Sequence, residues 1–130
     1  MCEEPDLIEE ENVMVDKSIL DAFHIMWKKF PEPVLLIQKD RTVLAVNLLA
    51  QKVGVQPGIK CFLLNPEGAP GGKCRQCQAD EALGQGAAIR TEATRNGKTL
   101  TTYWIPLDEA SDIYVHFTLG FADMMGISAA

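Results

Sequence analysis

The sequence predicts an α+β domain on three observations. An apolar stripe at helical spacing opens the folded part, two short apolar runs of strand length follow it, and the last third alternates like an antiparallel meander. Between the two halves lies CFLLNPEGAPGGKCRQCQADEALGQG, from Cys61 to Gly86, which holds three of the four cysteines among many Gly and Pro residues. It reads as an excursion carried by the scaffold. With 130 residues the chain is one domain's worth, and a domain of that size buries about two-thirds of its unfolded surface without needing disulfide staples. The expected divisions are an acidic arm over 1–15, an amphipathic helix over 16–30, the main domain over 31–122 and a tail over 123–130. No internal repeat or linker splits the chain.

The first helix is expected from about Asp16 to Lys29. Ser18 followed by Asp21 fits a capping box, and Ile19, Leu20, Phe23, Met26, Trp27 and Phe30 make its apolar stripe. Pro31 and Pro33 end it, since proline has no N–H to donate and disfavours helix in the residue before it. The stripe is broad for so short a helix. It serves core packing or, at Phe23, Met26, Trp27 and Phe30, contact with a second copy of the chain.

Val34-Leu35-Leu36-Ile37 is a continuous apolar run, the pattern of a strand covered on both faces. Lys39-Asp40-Arg41 turns the chain and Thr42 to Val46 returns it as a hairpin. Asn47 can cap a short helix over Leu48 to Val53, with Gly54 as its left-handed stop. Gln56-Pro57-Gly58 turns toward Cys61. Beyond the cysteines, Asp80 to Leu83 reads as a short helix closed by Gly84 or Gly86. Strands follow at Ala88 to Arg95, Lys98 to Leu107 and Ile113 to Phe121. Asn96-Gly97 is the strongest hairpin signal, because a type I′ turn needs positive φ at both central residues. In the last strand Ile113, Val115, Phe117, Leu119 and Phe121 alternate with Tyr114, His116 and Thr118, which predicts a half-buried strand. From Ala122 to Ala130 there is little signal.

The net charge is −6 and the pI near 4.8. That balance argues against nucleic-acid or anionic-membrane partners, which are held by clustered Lys and Arg. The opening MCEEPDLIEEENVMV has no basic region followed by a long apolar core, and no apolar run reaches the length of a membrane span. The chain therefore reads as cytoplasmic. In a reducing compartment Cys-x-x-Cys spacing points to metal binding or redox chemistry more than to a permanent bridge.

The order of helix, two strands, short helices and three-stranded meander, with Val46-Asn47 leading into Leu49-Ala50 and Gly54, resembles a PAS domain over about Phe30 to Phe121. The resemblance implies a five-stranded antiparallel sheet in order 2-1-5-4-3, with helices over a pocket on one face. A closer likeness lies in Gly58-Ile59-Lys60-Cys61-Phe62, Lys73-Cys74-Arg75-Gln76-Cys77 and Glu81 to Gly86. This is similar to a cysteine-bearing subgroup of bacterial and archaeal sensory PAS domains. It implies a signalling context and names no ligand. The implied pocket is expected to draw on Leu36, Phe62, Tyr103, Trp104, His116 and Phe117, with core packing as the alternative reading. Tyr103 and Trp104 point to opposite faces of one strand, so one of them faces the interior.

Cys74 and Cys77 can bring two thiolates to one point, and Cys61 can add a third sulfur if the loop folds back. Lys73 and Arg75 beside them would favour the thiolate. A closed zinc site wants a fourth ligand. Cys2 sits on the arm, and His24 and His116 have no local spacing to the trio. Three readings stay open for Cys61, Cys74 and Cys77: packed structural thiols, a redox disulfide switch, and a metal or iron–sulfur site. Covalent c-type haem is set aside because Gln78, not His, follows the second Cys. Non-covalent haem on His24 or His116 competes with the commoner role of a hydrogen-bonded core histidine. Gly68 to Lys73 is one residue short of a phosphate loop and lacks its Ser or Thr. No Gly-x-Ser-x-Gly elbow is present, and Ser18, Ser111 and Ser128 have no partner set. Asp80-Glu81 suits a helix's first turn better than acid–base work.

The expectation is a sensory and interaction module and not an enzyme. A small organic ligand or thiol oxidation would shift helices on the sheet and alter a homodimer contact through the first helix, with output through an effector domain or partner. The rivals are a purely structural dimerisation module and a Cys-x-x-Cys redox enzyme. The latter would want a thioredoxin-like βαβ setting that this order lacks.

Overall fold

In the computed structural model, which describes residues 16–64, 74, 76–108 and 112–127, α1 (Lys17–Trp27) leads into the hairpin β1 (Val34–Gln38) and β2 (Val43–Val46). Next come α2 (Leu48–Lys52), one 3-10 turn at Cys61–Leu64 and α3 (Ala79–Gln85). The chain closes with β3 (Ile89–Arg95), β4 (Lys98–Pro106), β5 (Ile113–Leu119) and α4 (Phe121–Met125). The acidic arm, Cys2, Lys73, Arg75 and the Gly68 to Lys73 stretch lie outside the described residues.

The five strands form one sheet in order β2-β1-β5-β4-β3, antiparallel throughout. Asn96 (φ 52°) and Gly97 (φ 76°) make the tight β3–β4 turn in the left-handed region, as their sequence demanded. Register assigns the faces. Leu35, Tyr114, His116, Thr102 and Trp104 share one face, and Leu36, Val115, Phe117 and Tyr103 share the other. Both faces are covered, so the alternation along β5 does not separate a dry side from a wet one. Tyr114 is as buried as Leu36, at 1 % exposure each.

On the second face α1 lays down Phe23 and Trp27, and Phe30 joins them just past its end. Trp27 and Phe30 meet the Phe117 ring at centroid separations of 5.4 and 5.2 Å, and Tyr103 stacks on Phe117 at 5.2 Å. The cap of α1 differs from expectation. Asp16 accepts from the Ser18 amide at 3.1 Å, while Ser18 is itself inside the helix and Asp21 pairs with Lys17 at 2.9 Å. A side chain two residues past the cap position, already within the helix, cannot cap the free amides of the first turn.

Asn47 does more than cap α2. Its Oδ1 accepts from the Ala50 amide at 3.1 Å and from the Val34 amide at 2.9 Å. Its Nδ2 faces the carbonyls of Trp27, Phe30 and Glu32, the last at 2.8 Å. The buried Glu32 carboxylate in turn accepts from the amides of Gly120 at 2.7 Å and Ala122 at 2.8 Å. These amides open α4, a helix where the sequence gave little signal. Gly120 (φ 93°) turns the chain out of β5, so Phe121 starts a helix instead of ending the strand.

Candidate functional site

The first sheet face carries the cysteines. After α2, Gly58 (φ 97°) bends the chain back along β2, where the Val43 amide donates to the Ile59 carbonyl and Thr42 bridges Lys60. The Cys61 amide then donates to the Arg41 carbonyl at 2.8 Å, which pins Cys61 at the sheet edge. The second cysteine segment is closed by the Cys77 amide donating to the Cys74 carbonyl at 3.1 Å. It runs directly into α3, whose Gly86 (φ 66°) supplies the left-handed stop. Cys61, Cys74 and Cys77 are free, half-buried thiols, and all three line a cavity of about 350 Å³.

Arg41 ties the two segments together. It is 4 % exposed and adopts φ 77°, a conformation that non-glycine residues seldom take outside tight turns. Besides holding Cys61 through its carbonyl, it bonds Asp80 of α3 through Nη1 at 3.1 Å and the Lys39 carbonyl through the same nitrogen. Its Nε is sealed from solvent and has no hydrogen-bond partner among the described residues. Burial works to lower the Arg41 pKa. The Asp80 hydrogen bond and the charges of Tyr114, Cys77 and Asp80 outweigh it and raise the value, so this buried guanidinium stays a cation beside the thiols.

Burial pushes the Cys61 thiol up to about 11, and the neighbouring Cys77 and Cys74 push the same way, against Arg41 and a hydrogen bond from Tyr114. Cys61 is therefore a neutral thiol at physiological pH. Burial also raises the Tyr114 hydroxyl, with Cys61 adding to it.

His116 stacks on Trp104 at 5.2 Å and 24°. Its Nδ1 lies 2.9 Å from the Tyr103 carbonyl. A carbonyl only accepts, so Nδ1 carries the proton; burial lowers the ring's pKa, which keeps it neutral. Nε2 is then a bare acceptor. It has no partner among the described residues, and His116 lines the cavity.

Of the expected pocket residues, Trp104 and His116 join the cysteines at this cavity. Leu36, Tyr103 and Phe117 belong to the opposite face under α1. Leu36 lines a separate apolar cleft of about 200 Å³ there. Phe62 is half-buried in the 3-10 turn and is not part of the cavity lining. His24 is on the exposed side of α1, so it has no part in the thiol cavity. Among the expected dimer residues Phe23 is 4 % exposed and Trp27 and Phe30 pack on Phe117. Met26 (73 % exposed) and its neighbour Ile25 (82 %) face outward. Arg41, Tyr114, Thr102, Thr118 and Phe121 were missed. Tyr114 and Thr118 share His116's parity on β5, a signal present in the sequence; Arg41 gave none.

Among the described residues no three His, Cys, Asp or Glu side chains stand together as a metal-binding group. The thiol trio shares a cavity without converging on one point, so no step is assigned to a metal or cluster.

Comparison with solved structures bears on the fold. A domain of an HTR-like protein from Haloarcula marismortui superposes with a TM-score of 0.51 at 22 % identity, covering 67 % of this chain and 94 % of that one. A sensory box sensor histidine kinase from Vibrio cholerae matches with a TM-score of 0.55 at 12 % identity, covering 83 % and 97 %. Both align over nearly all of their length, and the strand order is the 2-1-5-4-3 that the sequence resemblance implied. The chain has the PAS fold. A PAS domain of the Haloarcula marismortui HTR-like protein also matches, more weakly, with a TM-score of 0.46. No protein-family model matches the chain, and no curated protein matches it significantly. The thiol cavity opens on the sheet face against which α2 and α3 pack, and α1 covers the other face.

Proposed function

We propose that this PAS module is a sensor in signal transduction, acting by binding and not by turnover, with the cavity beside Cys61, Cys74 and Cys77 as its input site. One observation carries the reading. A cavity of about 350 Å³ has an apolar wall at Leu35 and Trp104 and polar groups at Thr102, His116 and Thr118. Ligand sites for small organic molecules begin at about 300 Å³ and combine such walls in this way. The bare Nε2 of His116 asks for a ligand that donates a hydrogen bond. The sensory box kinase of Vibrio cholerae, with the same fold, supports the signalling context. Its homologous role here would need an effector domain or partner, and the exposed Ile25 and Met26 on α1 supply a surface for homodimer contact in the cytoplasm. The test is native mass spectrometry and an absorption spectrum of the anaerobically purified chain, followed by a thermal-shift screen of small organic molecules. A bound or stabilising molecule, lost in a Thr102→Trp variant that fills the cavity, is expected. A chain that stays empty and unresponsive both across the screen and to thiol oxidation would reduce the domain to a structural dimerisation module.

A second input is favoured by the three free thiols that share this cavity: oxidation there, with or without a ligand.

A further inference from the structure

We propose that the cavity admits a monoanionic hydroxy acid with an apolar body, its carboxylate held by Arg95 and the Thr102–Thr118 pair and its hydroxyl donating to His116 Nε2. The proposal rests on the reading of the cavity as an input site and names the class of molecule taken there.

Charge sets the first constraint. Among the described residues that line the cavity, Arg95 is the one arginine or lysine, and none is Asp or Glu. That runs against the trend of a chain whose net charge is −6. Sheet register puts Arg95 on the cavity's face: it stands opposite Lys98 on β4, an even number of residues from Thr102 and Trp104. Lys98 shares that face but is matched by Asp123 at 2.8 Å. Arg95 has no such match among the described residues, so one positive charge is left at this end of the cavity. A guanidinium takes a carboxylate in a two-pronged geometry. One unmatched charge suits a monoanion and not a doubly charged phosphate. A ligand ammonium is excluded by the same lining, because it would lose water without meeting a carboxylate.

Hydrogen-bond polarity sets the ligand's direction. The Thr102 and Thr118 hydroxyls lie 2.9 Å apart, and whichever donates, one hydroxyl proton is left over to offer outward. Toward the β3–β4 turn the cavity therefore presents donors, from this pair and from Arg95. His116 lies two residues from Thr118 and away from that turn, about 7 Å along β5. It presents the opposite polarity, because its Nδ1 proton is committed to the Tyr103 carbonyl at 2.9 Å and Nε2 can only accept. Register places His116 between Leu35 on β1 and Trp104 on β4, so this acceptor is set in an apolar row. A carboxylate turned that way would face a lone pair among hydrocarbon. A hydroxyl on an apolar body answers both the acceptor and the walls, and the carboxylate is left for the end that holds the donors.

The test is NMR titration of the reduced full chain with ω-hydroxy acids of increasing chain length. Each is set beside the plain acid, the diol and the amino alcohol of equal length. The best hydroxy acid should bind about tenfold tighter than its plain acid, which leaves the His116 acceptor unpaired. It should bind about fivefold tighter than its diol, the upper range for one exposed carboxylate–arginine pair, and the amino alcohol should be weakest. Arg95→Gln should erase the preference for acid over diol, and Arg95→Lys should restore most of it. His116→Phe should erase the preference for hydroxy acid over plain acid and leave the other. Arg90→Gln, on the opposite face of β3 where Arg90 pairs with Glu92, should change neither. Circular dichroism controls for folding, and a loss of packing alone would weaken all four probes together. A diol or amino alcohol that matches the hydroxy acid overturns the proposal, as does an acid preference that survives Arg95→Gln. So does binding that persists in Thr102→Trp, which would lie outside this cavity. If no hydroxy acid binds while another molecule fills the cavity in the thermal-shift screen, the acid assignment falls and the input site stands. If neither binds, the ligand reading of the cavity falls with it.

Discussion

Replacing Asn47 by alanine should cost about 3–5 kcal/mol, a large share of the 5–15 kcal/mol that a domain of this kind has to lose. The figure follows from what the side chain holds. Asn47 is 1 % exposed, and its Oδ1 takes both the Val34 and the Ala50 amides. Val34 is fully buried, so its amide has no water to turn to and leaving it orphaned costs about 1–3 kcal/mol. Losing the cap at Ala50 costs about 1 kcal/mol. The Glu32 carbonyl, 2.8 Å from Nδ2, loses its donor for about 1 kcal/mol more. Equilibrium urea unfolding measures the sum as a shift of midpoint at unchanged slope. Asn47→Asp separates the two ends of the amide: it keeps the acceptor but turns a negative oxygen toward the carbonyls of Trp27, Phe30 and Glu32. Its deficit against the parent chain should narrow as the pH falls through the carboxylate range, when the acid again offers a proton. A cost below about 1 kcal/mol for Asn47→Ala would refute the accounting, because a single exposed cap already explains that much.

Asp40 gives the acid limb. Burial works to raise its carboxyl, but hydrogen bonds from Thr42, Lys60 and Gln38 prevail and hold it at about 2. A depressed carboxyl stabilises the fold above its unfolded pKa, so this contribution should be lost between about pH 4 and pH 2, and Asp40→Asn should flatten stability measured across that window. His116 titrates with the same sign, since its folded pKa is lowered by burial. Its contribution is complete above the unfolded pKa of about 6.5 and declines below it. Nitrogen NMR near neutral pH should find Nδ1 protonated and Nε2 bare; the opposite tautomer would remove the ligand argument built on Nε2. At the α1 surface, Met26→Asp paired with Ile25→Asp should weaken self-association in analytical ultracentrifugation by tenfold or so while leaving the unfolding midpoint nearly unchanged, because exposed positions carry little of the fold's stability. An unchanged association constant would move the homodimer contact elsewhere.

The strands were legible because their signals are local. Asn96-Gly97 dictates its own turn, and the apolar run Val34 to Ile37 suits an inner strand covered on both faces, which β1 is, between β2 and β5. Pocket membership was harder. Whether Tyr103 or Trp104 faces the cavity is a question of parity, and parity along β5 cannot be converted into inside and outside when α1 covers one face and α2 and α3 the other. Leu36 and Phe117 were expected in the cavity for the same reason and lie beneath α1 instead. Arg41 was beyond reach of pattern reading. A charged residue in a polar turn looks solvated, and only the return of α3 across the β1–β2 turn gives it Asp80 and burial. The helix α4 escaped because its first amides are met by Glu32, 88 residues earlier than Gly120, a partner no local window contains.

That last contact joins the margins of the domain. Pro31-Glu32-Pro33 receives α1 through the Asn47 amide and launches α4 through the Glu32 carboxylate. One short proline-bounded knot therefore governs both where the polypeptide enters the sheet and the heading on which it departs. A tilt of α1 is felt at α4 through two hydrogen-bonded residues, without having to cross the width of the sheet.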